Sequence, residues 1–311
     1  MKNDFKKKRR KNNEKRVLAS FLTAVMVMVM VMVMVMGMVG CGSADESQGD
    51  AKADGEKGSY KIGLTNSFNG NSYRQQMEAY AQEAADAGIP CIIINDGPVE
   101  SEAELCYQIN FDTIDQMSTL TEYVCEAIGG KGKIIELRGT AGAEFDNIAH
   151  EGVLKALENY PDIEIVAEVY TDWTGSKAQS ELASVLPTLD DVAGVVTQGG
   201  DSYAAVQAFE AAGMELPVIG GDNRGYFLKW WANEAPDGYD TISVSSNPWD
   251  GATGVYVACD ILSGEYEVPN EMVHPFAVVT KDEAENYKDM GDEEIGTPTY
   301  DREWVRENLY K

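Results

Sequence analysis

Two adjoining stretches, AGVVTQGGDSYAAVQAFEAAG from Ala193 to Gly213 and PVIGGDN from Pro217 to Asn223, decide how the chain folds. Val192 to Gln198 is a short, β-branched apolar run that stops at two glycines, which is the pattern of a buried strand. Ala204 to Ala212 places small apolar residues and Phe209 at helical spacing, and Gly213 supplies the stop. Pro217 to Gly220 is a second short strand. Strand, helix and strand in that order form one βαβ unit.

The alternation extends outward on both sides. Upstream it predicts strands at Tyr60–Asn66, Pro90–Asn95, Lys133–Leu137 and Ile163–Tyr170, and helices at Ser72–Ala87, Thr113–Ile128, Glu144–Asn159 and Lys177–Val185. Downstream it predicts helices at Tyr226–Glu234 and Gly251–Leu262 and strands at Thr241–Ser246 and Met272–Thr280. Such a series makes an α/β protein with parallel sheets, in which loops after the strand C-termini line the ligand crevice. Those positions are polar or aromatic: Asn66–Tyr73, Asn95-Asp96, Gly139–Asn147, Asp172-Trp173, Gln198–Asp201, Asp222–Arg224 and Ser246–Trp249.

With 311 residues, 44% of them hydrophobic, the chain can bury a core of one large or two ordinary domains. The formal charge is −27, but residues 1 to 40 hold nine Lys/Arg against two Asp/Glu, leaving about −34 on the rest. A body this acidic repels phosphate backbones and anionic lipid, which argues against nucleic-acid binding. The two histidines, His150 and His274, occur without HExxH, GxSxG or P-loop spacing, so no enzyme motif is present. Widely separated glycosidase carboxylates remain the one catalytic alternative. Cys91, Cys106, Cys125 and Cys259 form no CxxC pair and lie near no His in sequence, so neither a zinc site nor another cofactor is expected. They read as small buried hydrophobes. One disulfide is permitted outside the cytosol, and spacing does not assign it.

The basic run Lys2–Arg16 and the apolar Val17–Val39, with its repeated Val-Met pairs, are a targeting segment; an uncleaved membrane anchor is the alternative. Met38-Val39-Gly40-Cys41-Gly42 resembles the bacterial lipoprotein box, although Met38 stands where Leu is usual. The resemblance implies a signal peptide over 1–40, lipidation of Cys41 and tethering at the outer face of the cell membrane. Residues 41–58, rich in Gly, Ser, Asp and Lys, read as a flexible linker.

KIGLTNSFNGNSYRQQM, AGIPCIIINDG, GGKGKIIELRGTAG, ALENYPDIEIVAEVYTDW, AGVVTQGGDSYAAVQAFEAAG and PVIGGDN, in this order and spacing, resemble the type I periplasmic binding proteins of sugar ABC transporters. The resemblance covers Ser59 to about Thr280. It implies two hinged lobes that close on a sugar or polyol and present the closed form to an ABC permease, as a monomer. Residues 59–129 and 248–280 would form the N-terminal lobe, 130–247 and 281–311 the C-terminal lobe. A sugar offers apolar CH faces and a rim of hydroxyls, which call for flat rings and planar polar groups. By resemblance Tyr73 and Trp173 are the walls, and Asp96, Asn147, Gly199, Asp222, Arg224, Ser246 and Asn247 the polar partners. Each has a plainer alternative: Tyr73 packs on its lobe, Trp173 joins a core, Asp96 and Asp222 cap the following turn. Trp249 reads as packing and Trp230-Trp231 as lobe core.

The chain also departs from the family. The first helix meets AGIPCIIIND directly, so about two βα units are expected to be absent, and an N-terminal lobe with only two clear strands is expected to be truncated, marginal or rearranged, with Asp96 displaced. Ala149 stands where sugar binders often carry Arg, leaving Asn147 or His150 to compensate. Gln198–Asp201 lacks the Asn of ribose binders, so backbone groups such as Gly199 would serve there. A tethered sugar sensor for a receptor kinase or chemoreceptor, and a decayed copy that binds nothing, are the competing readings.

Overall fold

The computed structural model describes residues 90–95 and 105–311; the chain divides into Met1–Gly58 and Ser59–Lys311, and all described residues lie in the latter. Tyr73, Asp96, Cys41, the targeting segment, the linker and the first predicted strand and helix lie outside the described residues. No helix among those described is long and apolar enough to cross a membrane.

A first sheet contains β1 (Cys91–Asn95), β2 (Cys106–Phe111) and β8 (Glu271–His274) in the order β1-β2-β8, all parallel. A second sheet contains β3 (Lys131–Arg138), β4 (Asp162–Tyr170), β5 (Val192–Thr197) and β6 (Val218–Ile219) in the order β4-β3-β5-β6, again parallel. β7 (Ser243–Ser245) pairs antiparallel with β9 (Ala277–Val279) and bridges to Gly221 just past β6.

The inner strands β3 and β5 of the second sheet bury successive residues on both faces because both faces are covered there. Ile135, Leu137, Val195 and Ile219 pack with Leu182 of α3 (Gly175–Val185), Phe209 of α4 (Ser202–Ala212) and Phe227, Trp230 and Trp231 of α5 (Gly225–Asn233). Their strand neighbours Ile134 and Val196 point the other way, onto Met117, Leu120 and Val124 of α1 (Thr113–Ala127) and Ala149 and Val153 of α2 (Glu144–Leu157). Trp230-Trp231 is therefore core, as its helical setting suggests.

Around the first sheet, Ile109 and Met272 pack with Val257 of α6 (Asp250–Ser263) and with Val305 and Leu309 of α8 (Arg302–Leu309). Four findings differ from the sequence reading. Among the described residues the first sheet has three strands, β2 and β8 joining β1, so it is more than the two clear strands expected. α1 was expected in the N-terminal lobe, yet its apolar face is buried on the second sheet, so the crossing falls at Asp112 and not after residue 129. The tail divides: α7 (Lys281–Ala284) contributes Ala284 to the second core, whereas α8 returns to the first. The single strand expected over Met272–Thr280 is broken at Pro275, where the chain changes sheet.

Candidate functional site

The C-terminal ends of strands from both sheets converge on one cleft. A cavity of about 310 Å³ is lined by Phe111 at the end of β2, Gln116 in the first turn of α1, Phe145 in α2, Trp173 after β4, Gln198–Gly200 after β5, Asp222 and Arg224 after β6, and Ser246, Asn247 and Asp250 after β7. A neighbouring cavity of about 540 Å³ shares Trp173, Gly200, Asp222 and Arg224 and runs out along Gln179, Tyr203 and Tyr226.

The second-sheet wall is built with little freedom. Asp172 and Trp173 both have left-handed backbone, with φ of 52° and 54°, a conformation costly for residues with a Cβ. Thr171 holds the turn: its hydroxyl donates to Arg138 O at 2.9 Å and accepts from Trp173 N at 3.2 Å. The indole lies across Gly139, where a Cβ would come within 2.0 Å of the ring, and tilts against Phe145 with centroids 5.6 Å apart. Gly200 has φ 83° and passes so close that a Cβ there would meet Trp173 O at 2.5 Å.

Asp222 is buried and its carboxylate is occupied, accepting from Ser202 Oγ at 2.7 Å, Ser202 N at 3.2 Å and Arg224 N at 3.0 Å. It thus fixes the start of α4 and the loop carrying Arg224 while lining the cleft. Arg224 donates to Glu293 at 3.1 Å from a half-exposed position. Asn247 is also committed locally, accepting from Trp249 N and donating to Pro298 O, both at 2.9 Å. Trp249 donates its indole N–H to Tyr300 O and does not line the cleft, in keeping with packing.

Trp173, Gly199, Asp222, Arg224, Ser246 and Asn247 are thus brought together, whereas Asn147 is not. Asp146 takes the inward position on α2, bound to Arg138 Nε at 2.9 Å and Nη2 at 2.7 Å and accepting from Gly139 N at 2.9 Å. One residue further round the helix, Asn147 faces solvent. His150 likewise turns from the cleft, its Nδ1 lying 2.8 Å from the buried Glu136. Glu136, His150 and Glu168 are close enough to ligate a cation, but the Arg138 guanidinium, paired with Glu168, already supplies positive charge there.

Phe111, Gln116 and Asp250 escaped the sequence reading, and Phe145 was covered only by the crevice stretch Gly139–Asn147. Phe111 and Gln116 flank the end of β2, so recognising that strand would have exposed both. Among the described residues, Gln116 Oε1 and Trp173 Nε1 are buried without a hydrogen-bond partner, one an acceptor and the other a donor. Asp201 behind the wall also has an unpaired oxygen; burial first, and then Asp222, holds its carboxyl well above the usual range.

The family model described as "Periplasmic binding protein domain" matches residues 71–266. The chain belongs to this family. Over 203 residues it is 25% identical to a xylitol-binding protein of Mycolicibacterium smegmatis, covering 64% of this chain and 56% of that protein. Among solved structures it is similar to an ABC transporter solute binding protein from Thermobispora bispora, with 27% identity, TM-score 0.67 and coverage of 75% of this chain and 71% of that one. It is also similar to the fructose-binding periplasmic domain of a hybrid two-component system, with 25% identity, TM-score 0.58 and coverage of 68% and 70%. The chain spans between 45% and 59% of the length of the curated relatives it matches. These relatives are solute-binding proteins, not enzymes, and the cleft of this periplasmic binding protein lies at the strand ends where such a fold presents a ligand.

Proposed function

We propose that this protein is a lipid-anchored, extracytoplasmic solute-binding protein that captures a sugar or polyol between two lobes and delivers it to an ABC permease. One observation carries the reading: a cleft walled by Trp173 and Phe145 from one sheet and Phe111 from the other is lined by two side chains, Gln116 and Trp173, that each carry a buried polar atom without a hydrogen-bond partner. Rings cover the CH faces of a polyol, and Gln116 Oε1 and Trp173 Nε1 bond its hydroxyls. Asp250 and Arg224 add opposite charges at the rim. Because Phe111 and Asp250 come from elements of the first core and Trp173 from the second, a ligand touching both favours the closed arrangement.

The test is a thermal-shift screen followed by calorimetry of the full chain against xylitol, fructose, apiose, other pentoses, hexoses and inositols. A binder raises the melting temperature as its concentration passes the dissociation constant. Trp173→Ala then weakens that binder about 10- to 100-fold, the loss expected for a buried ring at the centre of a site. No shift with any member of the panel, or a binder indifferent to Trp173, overturns the reading.

The likeness to the periplasmic domain of a two-component system favours a second reading, in which the loaded form signals to a kinase. Stimulation of permease-coupled ATP hydrolysis by the loaded protein supports delivery, and its absence supports signalling.

A further inference from the structure

The in-register cysteines at the start of β1 and β2 have no role in the cleft. We infer that Cys91 and Cys106 are a disulfide-forming pair, a modification site that closes the connection between these strands at its base. Cys91 is paired directly with Cys106 in the parallel ladder, and Cys91 N donates to Leu105 O at 2.9 Å. Neighbouring strands stand about 4.8 Å apart, inside the Cα separation of about 4.4–6.8 Å that a disulfide spans. In a parallel ladder, partners in register project from the same face. Ile92, Ile94 and Ile109 face the α6 and α8 side, so both thiols lie on the opposite face.

The remaining body cysteines do not compete. Cys259 lies on α6, across the sheet, and Cys125 lies on α1, which packs on the second sheet. Both members of the pair open their strands, with Cys91 half-buried and Cys106 buried, so the ångström-scale approach of the two Cβ atoms occurs where the ladder has only begun. Burial first, and next Cys106, hold the Cys91 thiol above its ordinary value, so its reaction is faster in mild alkali.

The oxidant is a low-molecular-weight disulfide, available outside the cytosol. The Cys91 thiolate attacks one of its sulfurs, its S–S bond breaks, and the first small thiolate leaves. The Cys106 thiolate then attacks the Cys91 sulfur of the mixed disulfide and expels the second small thiolate. The protein thus loses two electrons, which reduce the small disulfide to two thiols that take up the two protons.

The full-length chain is incubated with oxidised glutathione at pH 8.5, alkylated, and digested at glutamates, which occur between the two cysteines, without reduction. A peptide linking Cys91 to Cys106 that is lost on reduction supports the inference. So does a melting temperature higher by about 6–12 °C than that of the reduced protein, as expected for closing a loop of about 15 residues in a chain of this size. Cys91→Ser abolishes both signals and Cys259→Ser leaves both intact. Alkylation of both cysteines, capture only as mixed disulfides, or linkage to Cys125 or Cys259 overturns it. The inference rests on strand register, so a failed ligand screen leaves it standing.

Discussion

Asp260 holds the C-terminal helix to the first sheet, and replacing it by Ala tests whether that helix maintains half of the cleft. The side chain is fully buried in α6. It accepts from Arg302 Nε at 3.0 Å, Arg306 Nε at 3.0 Å, Arg306 Nη2 at 2.6 Å and Tyr310 OH at 2.9 Å, and also from Arg302 Nη2. Removing one member of a buried ion pair costs about 3–5 kcal/mol when its partner stays buried. Here the guanidinium side chains are 37% and 25% exposed, so water recovers part of the loss and about 3 kcal/mol remains. Val305 and Leu309 keep their apolar contacts with Ile109, Met272 and Val257, so α8 is loosened and not expelled.

Two readouts follow from that figure. The melting temperature of Asp260→Ala falls by about 6–12 °C. Amides of β2 and β8 exchange about 100-fold faster, while those of β3 and β5 keep wild-type protection. There is also a pH signature. Burial alone raises the Asp260 carboxyl, but bonds from Arg306, Arg302 and Tyr310 outweigh it and leave the group below its ordinary value. A carboxylate depressed in the folded state contributes stability above its unfolded value near 3.8, and that contribution is lost as pH falls through the lower folded value. The wild type therefore loses, below about pH 4, a stabilisation that Asp260→Ala never has. Wild-type protection of β2 and β8 in the variant would refute the assignment of α8 as the clamp of this sheet.

Two further substitutions probe the second-sheet wall. Asp201→Asn removes a carboxyl raised by burial, whose stabilising contribution is complete below about pH 4 and declines as pH rises through the folded value; urea unfolding across pH should show a steeper decline with rising pH in the wild type than in the variant. Gly139→Ala drives a Cβ to within 2.0 Å of the Trp173 ring, so it costs about 1–3 kcal/mol and displaces the indole; unchanged melting and unchanged near-ultraviolet dichroism would disprove the close packing.

Most elements were legible because strands covered on both faces are apolar throughout, and helices between them keep one apolar stripe. VAGVVT and KGKIIELR announce themselves in this way. CYQINF does not: its buried positions include Gln108 and Asn110, so composition reads as loop although the segment lies at the centre of its sheet. Missing it hid Phe111 and Gln116. Site positions defined by a strand end were found because topology fixes them, as with Trp173 and Asp222. Positions on the following helix depend on phase, and there sequence reasoning failed: Asp146, drawn inward by Arg138, sends Asn147 outward. The absent Arg at Ala149 also takes on a physical sense, since Ala149 is packed in the core between α1 and α2.

Chain paths between the two sheets bear on the proposed closure. The chain crosses at Asp112, at Ser246–Trp249, at Pro275-Phe276 and again before Asp301. These strands of backbone are tied sideways to one another. Asn247 bonds Pro298 O, Trp249 bonds Tyr300 O, and His274 packs on Tyr300, which stacks on Trp304 with centroids 3.7 Å apart. Asn223 adds bonds to Ala277 O at 3.2 Å and Gly296 O at 3.0 Å, linking the loop beside Arg224 to two of the returning segments. With the crossings joined in this manner, the rotation of one core against the other that the proposed closure requires would be shared among them. Phe111 and Asp250 sit at the ends of such crossings, so under the proposed closure a ligand that draws them toward Trp173 would act directly on these segments, coupling recognition of the solute to movement of the lobes.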